Sequence, residues 1–297
     1  MSPDKQAVGK RVSSLKARLE KNHLFRFAVN VGGEWARDDA ADRAGAVAYY
    51  AFMSIFALLL GVFALLGFLL PNQDIRQAVT DILTQALPAS ADTIEGILDT
   101  AAEVGGVGGA VGLFLLLWSG SNMFAAINRA VNRAWGIRRE RRFIAGKLRD
   151  LAMVLGTGVL LLLSLVTITI GNFVGEMGNA FLNFIVPFGG RFIGFLLSAL
   201  VFLVIYKYVP NTPTRWRWTW PGALLAAVLF QAATYAFIFY LTNFADFQSV
   251  YGPLGSGIVL LLWIYISSMI LILGAEVTSE LHRESVGTAK SKGTATG

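Results

Sequence analysis

Residues 254–276 read LGSGIVLLLWIYISSMILILGAE, and from Leu254 to Gly274 no side chain is charged. At a helical rise of ~1.5 Å per residue, about 20 residues cross a hydrocarbon core roughly 30 Å thick. A helix that is apolar on every face suits lipid, whereas the core helix of a water-soluble protein usually keeps a polar face. The stretch is therefore read as a membrane span, and five more resemble it, over 44–70, 105–127, 151–174, 192–209 and 221–241. The expected fold class is all-α: a polytopic membrane protein with six transmembrane helices.

Composition supports this from the whole chain. Of the residues, 55% are hydrophobic and 15% charged, against ~25% charged in an average soluble domain. Cysteine is absent, which excludes disulfide frameworks, thiolate metal sites and cysteine nucleophiles. A net charge of +6 would suit a nucleic-acid partner only if the cations lined one groove or face. They instead follow the loops between spans, and no nucleic-acid partner is expected.

Residues 1–43 are polar and basic, with apolar positions such as Val12, Leu15 and Leu19, then Phe25, Ala28 and Trp35, near helical spacing. A basic amphipathic N-terminal region lying on the membrane surface is expected there. After the first span, 72–103 holds six carboxylates against Arg76, and its periodicity, broken at Pro88, predicts two short amphipathic helices outside the membrane. The second span opens on Gly105, Gly108, Gly109 and Gly112. Gly105/Gly109 and Gly108/Gly112 are small-xxx-small pairs that let helices approach closely in lipid. A phosphate cradle would need a preceding strand and a βαβ unit. The tail 277–297 ends in a Gly/Ser/Thr/Ala/Lys mixture and is expected to be disordered.

Every lysine and arginine except Arg76 and Arg191 falls in the N-terminal region, the 125–150 loop, the 207–219 loop or the tail. Six crossings put those four segments on one side, which the positive-inside rule makes cytoplasmic for both termini. The basic 129–149 loop could also hold anionic lipid headgroups. Membrane lipids are the expected partners.

Several stretches carry a family resemblance: AVAYYAFMSIF at 46–56, NRAW at 132–135, YKYVPN at 206–211, PGA at 221–223, and YGPLG followed by LLLWIYISSMILILGAE up to Glu276. Together they resemble the YihY/BrkB family of bacterial inner-membrane proteins, formerly labelled ribonuclease BN, across about residues 35–280. The resemblance implies a six-helix protein of the cell inner membrane, with envelope or lipid transport among the activities proposed for the family. This chain departs from it at Ser54-Ile55-Phe56-Ala57, where the family usually has a proline after Ser-Leu-Phe.

Catalysis finds little to use. Metal-assisted phosphodiester cleavage needs clustered carboxylates or histidines, and the only histidines are His23 and His282. Asp38, Asp39 and Asp42 cluster, but helix N-terminal charge explains them more simply. No enzyme activity, metal or cofactor is expected.

Polar residues inside the spans remain. Tyr50, Asn172, Gln231, Thr234 and Tyr235 are candidates to line a substrate pathway, since polar groups at that depth face the bundle or a wet cavity. Interhelical hydrogen bonding is the plainer alternative. At the cytoplasmic rim, Arg129, Arg133, Lys207 and Glu276 are candidates for a gate or headgroup site, with Glu276 expected to pair with an arginine of the 129–133 turn. Two functions stay open: translocation of a lipid-like or small amphipathic substrate, or a non-transporting scaffold for envelope integrity. A cavity lined by Tyr50, Asn172, Gln231 or Thr234 would favour the first and a tightly packed bundle the second.

Overall fold

The computed structural model describes residues 23–69, 107–137, 148–156, 180–243 and 252–294, with scattered positions between 73 and 100 and at 146. These residues form α1 (His23–Arg37), α2 (Ala40–Leu69), α3 (Val107–Ala134), α4 (Ala180–Tyr208), α5 (Trp216–Asn243), a 3₁₀ turn (Gly252–Leu254) and α6 (Gly255–Thr294). Residues 148–156 are also helical. No strand occurs among the described residues.

Four helices are long and apolar enough to cross a membrane: Ala40–Gly61 of α2, Ala110–Ala134 of α3, α5, and Gly255–Ser285 of α6, with Phe192–Tyr208 of α4 a shorter apolar helix. Five predicted spans therefore coincide with apolar helices. The other, 151–174, is described only to residue 156. Large apolar side chains, among them Phe56, Phe114, Trp118, Phe192 and Phe239, are more than half exposed on the outer faces. Water would penalise such a belt and lipid does not. The chain is a multi-pass membrane protein.

The central helix is the one read first. α6 touches each of the other five helices, and the most extensive pairing among the described residues is α2 with α3. Small residues make these approaches possible. A Cβ on Gly112 would sit 2.8 Å from the Leu60 carbonyl oxygen of α2, so this predicted packing glycine does set a helix contact. Gly105 lies outside the described residues, and the side-chain surroundings of Gly108 and Gly109 are not described. On the other side of the bundle Gly222 of α5 faces the Gly274 carbonyl oxygen, where an added Cβ would come within 2.7 Å, and a Cβ on Gly274 would lie 2.8 Å from the Ala226 Cβ.

Some boundaries differ from expectation. α4 begins well before Phe192. α5 starts at Trp216 and carries Pro221 inside it, because the turn before it is already closed by Trp218 N–H donating to the Arg215 carbonyl at 3.0 Å. The proline's missing N–H then forfeits one bond near the helix start. α2 runs unbroken through Ala57, in keeping with the absent proline. The tail is corrected as well: α6 continues without a break past 277, and Val277, Thr278, Ser279 and Glu280 are buried. Composition alone misses this, since three of those four side chains are polar and yet buried. The predicted amphipathic helix is present over α1, whereas residues 1–22 lie outside the described residues. Of the expected outer helices in 72–103 only scattered positions are described, and these are helical, with Arg76 and Asp99 paired at 2.6 Å.

Candidate functional site

The ends of α1, α3 and α4 meet the 276–283 stretch of α6 at one end of the bundle, and a group of polar residues gathers there. Asp38 follows α1, and Asp39 after it takes a left-handed conformation at φ 49°, which Asp tolerates better than most residues. That turn reverses the chain into α2, and Arg43 Nε fixes it by donating to the Asp38 carbonyl at 2.7 Å. The Asp38 carboxylate faces Arg133 of α3, Nε to Oδ1 2.9 Å. Asp38 and Asp42 thus belong to a turn and a helix respectively, not to one helix face.

α1 is held to α6 by two polar contacts, Asn30 to Glu280 and Arg283 to Glu34. Asn30 Nδ2 donates to Glu280 Oε1 at 2.9 Å. Arg283 lies 3.2 Å from Glu34 and 3.9 Å from Glu280, and it also donates to the Ala134 carbonyl at 3.4 Å. A cleft of about 590 Å³ runs between the two helices, flanked by Glu34, Arg37, Glu280 and Arg283. Beneath this surface Glu276 is only 2% exposed, and neither carboxylate oxygen has a hydrogen-bond partner among the described residues. It does not take an arginine of the 129–133 turn as expected: Arg133 is engaged by Asp38, and Arg129 is exposed.

The α4–α5 connection forms the rest of the site. Tyr206, fully buried, donates its hydroxyl to the Leu271 carbonyl at 2.8 Å. Lys207 donates to the Thr214 carbonyl, and its ammonium lies 5.3 Å from the centre of the Trp216 ring. Asn211 N–H donates to Asn132 Oδ1 at 2.7 Å, and Arg149 donates to Asn211 Oδ1 at 3.2 Å. Beside this connection lies a cavity of about 770 Å³. Met153, Val201 and Ile205 give it an apolar wall, while Arg149, Lys207 and Asn211 supply cations and hydrogen-bond partners.

Of the expected pathway residues that are described, none lines this cavity. Tyr50, Gln231 and Thr234 are half-buried and Tyr235 is exposed. The Thr234 hydroxyl is committed within its own helix, donating to the Phe230 carbonyl at 2.7 Å. Asn172 lies outside the described residues. Of the expected rim residues, Lys207 reaches the cavity, and Arg133 and Glu276 belong to the α1–α6 cluster.

Sequence reasoning missed Asn30, Arg149, Glu280 and Arg283. A signal was present: Glu276, Glu280 and Arg283 are spaced to share one helix face, but a tail starting at 277 hid it. The stretches that carried the family resemblance also prove to be neighbours. NRAW supplies Asn132 and Arg133, YKYVPN supplies Tyr206, Lys207 and Asn211, PGA supplies Gly222, and LGAE supplies Gly274 and Glu276.

Comparison with known proteins agrees with that convergence. The family model for Virulence factor BrkB matches residues 31–296. The chain is similar to a UPF0761 membrane protein of Psychromonas ingrahamii, 31% identical over 272 residues, covering 87% of this chain and 88% of the relative. It is similar to a UPF0761 membrane protein of Aeromonas salmonicida, 29% identical, covering 86% and 92%. It is also similar to the protein named "Putative ribonuclease-like protein YfkH" of Bacillus subtilis, 27% identical, covering 86% and 95%. No solved structure matches. With a family model spanning most of its length and membrane-protein relatives aligned nearly end to end, the chain belongs to the Virulence factor BrkB family.

Proposed function

We propose that the protein translocates a lipid-like or small amphipathic substrate across the cell inner membrane, with its polar end facing the cytoplasm. The observation that carries this reading is the cavity beside the α4–α5 connection. Its apolar wall of Met153, Val201 and Ile205 suits a chain or ring, and Arg149 and Lys207 suit an anionic headgroup. A site with both chemistries side by side is what an amphipathic ligand requires. The orientation draws on the skewed distribution of lysine and arginine. Six crossings remain the expected number, with the spans as given above.

The role proposed is non-enzymatic. Among the described residues no three potential metal ligands come together, and His282 is tilted against Trp135 at 5.4 Å. The printed name of the Bacillus subtilis relative says ribonuclease-like, and nothing in this site's chemistry takes that up.

The test is a lipid-flipping assay in vesicles of zwitterionic and anionic lipid containing the purified protein and fluorescently tagged anionic lipid. Wild type should carry tagged lipid across faster than empty vesicles, and Arg149→Ala combined with Lys207→Met should remove most of that rate. Rates equal to those of empty vesicles for both lipid classes would overturn the reading. They would also favour a membrane scaffold, for which the tight α2–α3 and α5–α6 contacts already speak.

A further inference from the structure

The interior of the polar end carries more negative charge than its visible partners balance. Around Glu276 stand Glu34 of α1, Asp38 of the α1–α2 turn and Glu280 of α6 itself. The cations facing them are Arg283, shared between Glu34 and Glu280, and Arg133, paired with Asp38. Arg37 pairs with Glu34 only at the exposed rim, 2.9 Å away. Among the described residues Arg133 and Arg283, with Arg37 at the rim, therefore answer four carboxylates, and none of the three pairs with Glu276.

Among the described residues the other helices packed here bring no further cation to it. Arg43 of α2 donates to the Asp38 backbone. The Tyr206 hydroxyl of α4 is taken by the Leu271 carbonyl, and Thr219 of α5 donates to Trp216 in its own helix. His282, further along α6, lies against Trp135. A carboxylate buried without a partner is far more costly ionised than neutral, and like charges nearby add to that cost. A metal ion would need several ligands converging on one point, and no such group occurs among the described residues. A proton needs no coordination shell.

We propose that Glu276 is a proton-binding site and that its proton holds α1 against the end of α6. With the proton in place the cluster is held by Asn30–Glu280 and Arg283–Glu34. When it leaves, a fourth negative charge appears beneath α1, and Glu34 and Asp38, both carried by or next to α1, are pushed from Glu276 and Glu280. The docked state binds the proton more tightly, so docking is complete on the acid side and is lost as pH rises. The turn at Asp38–Asp39 is the hinge. The proposal stands whether or not a lipid crosses the bundle.

The absence of cysteine from the chain allows a direct test. Spin labels on cysteines introduced as Gly32→Cys and Ser285→Cys report the α1–α6 distance in vesicles by pulsed dipolar spectroscopy. In the otherwise native chain the distance distribution should lengthen and broaden at alkaline pH and return on acidification. With Glu276→Gln added it should stay short at every pH. In parallel, infrared titration should show a protonated carboxyl C=O band that fades as pH rises in the native protein and is missing from Glu276→Gln. If that variant does not fold, Glu280→Gln is informative: it keeps an acceptor for Asn30, removes one charge, and should shift the opening to lower pH. A distance unchanged with pH, or an opening and a carboxyl band that persist in Glu276→Gln, would overturn the proposal.

Discussion

Two contacts of α6 hold it by opposite means. Where it crosses α5, Gly274 and Gly222 bring backbone against backbone, and the Thr278 hydroxyl seated against Gly222 is satisfied within its own helix by the Gly274 carbonyl. A few turns on, where it meets α1, charged and amide groups tie the two helices, Asn30 to Glu280 and Arg283 to Glu34. In lipid, helices gain little from burying apolar area against each other, so the first contact depends on steric fit. The second lies toward the polar end, where solvent and charge decide. The first contact has one good arrangement and the second can be undone by changing a charge.

The comparison is broken most severely by adding volume at the crossing. Gly274→Leu, whose Cβ alone would meet Ala226 at 2.8 Å, should destabilise the bundle by about 3 kcal/mol or more. Fluorescence-detected size exclusion after heating should show a much lower midpoint, and a wild-type midpoint would mean that the crossing is looser than described. Next comes Arg133→Ala, which leaves the mostly buried Asp38 carboxylate without its cation and should cost about 2 kcal/mol. Adding Asp38→Asn should restore part of that loss, and a double-mutant cycle measures how much. Tyr206→Phe removes one buried hydrogen bond and keeps the ring, so a loss of about 1 kcal/mol is expected. Arg37→Ala, at an exposed rim pair, should change stability by less than about 0.5 kcal/mol.

The sequence shows the first contact only in part and the second hardly at all. Residues 254–274 are legible as a span because hydrophobic length is a local property, and Gly112 is legible because small residues at fixed spacing are local too. Gly222 and Gly274 sit singly in their helices, so nothing nearby marks them as a pair. Asn30 and Glu280 stand 250 positions apart, and no periodicity predicts that one will bond the other. The expected pairing of Glu276 with Arg133 failed for the same reason: Asp38, far earlier in the chain, competes for that guanidinium and takes it. The candidate pathway residues were chosen for being polar at depth, and Thr234 satisfies its hydroxyl within its own helix instead. The cavity lies where the α4–α5 connection, the end of α4 and the helical residues 148–156 meet, a place that only the fold defines.

The clasp of α1 on α6 is the feature on which the polar end, its cleft and its buried carboxylate all depend. It can be measured in intact membranes by replacing Asn30 and Glu280 together with cysteine and adding a short bifunctional thiol reagent. Peptide mapping after cleavage between the helices should find the two segments joined in most of the protein, as they should be for a control pair placed across α2 and α3. Efficient linking of the control pair with none between residues 30 and 280 would show that α1 lies elsewhere.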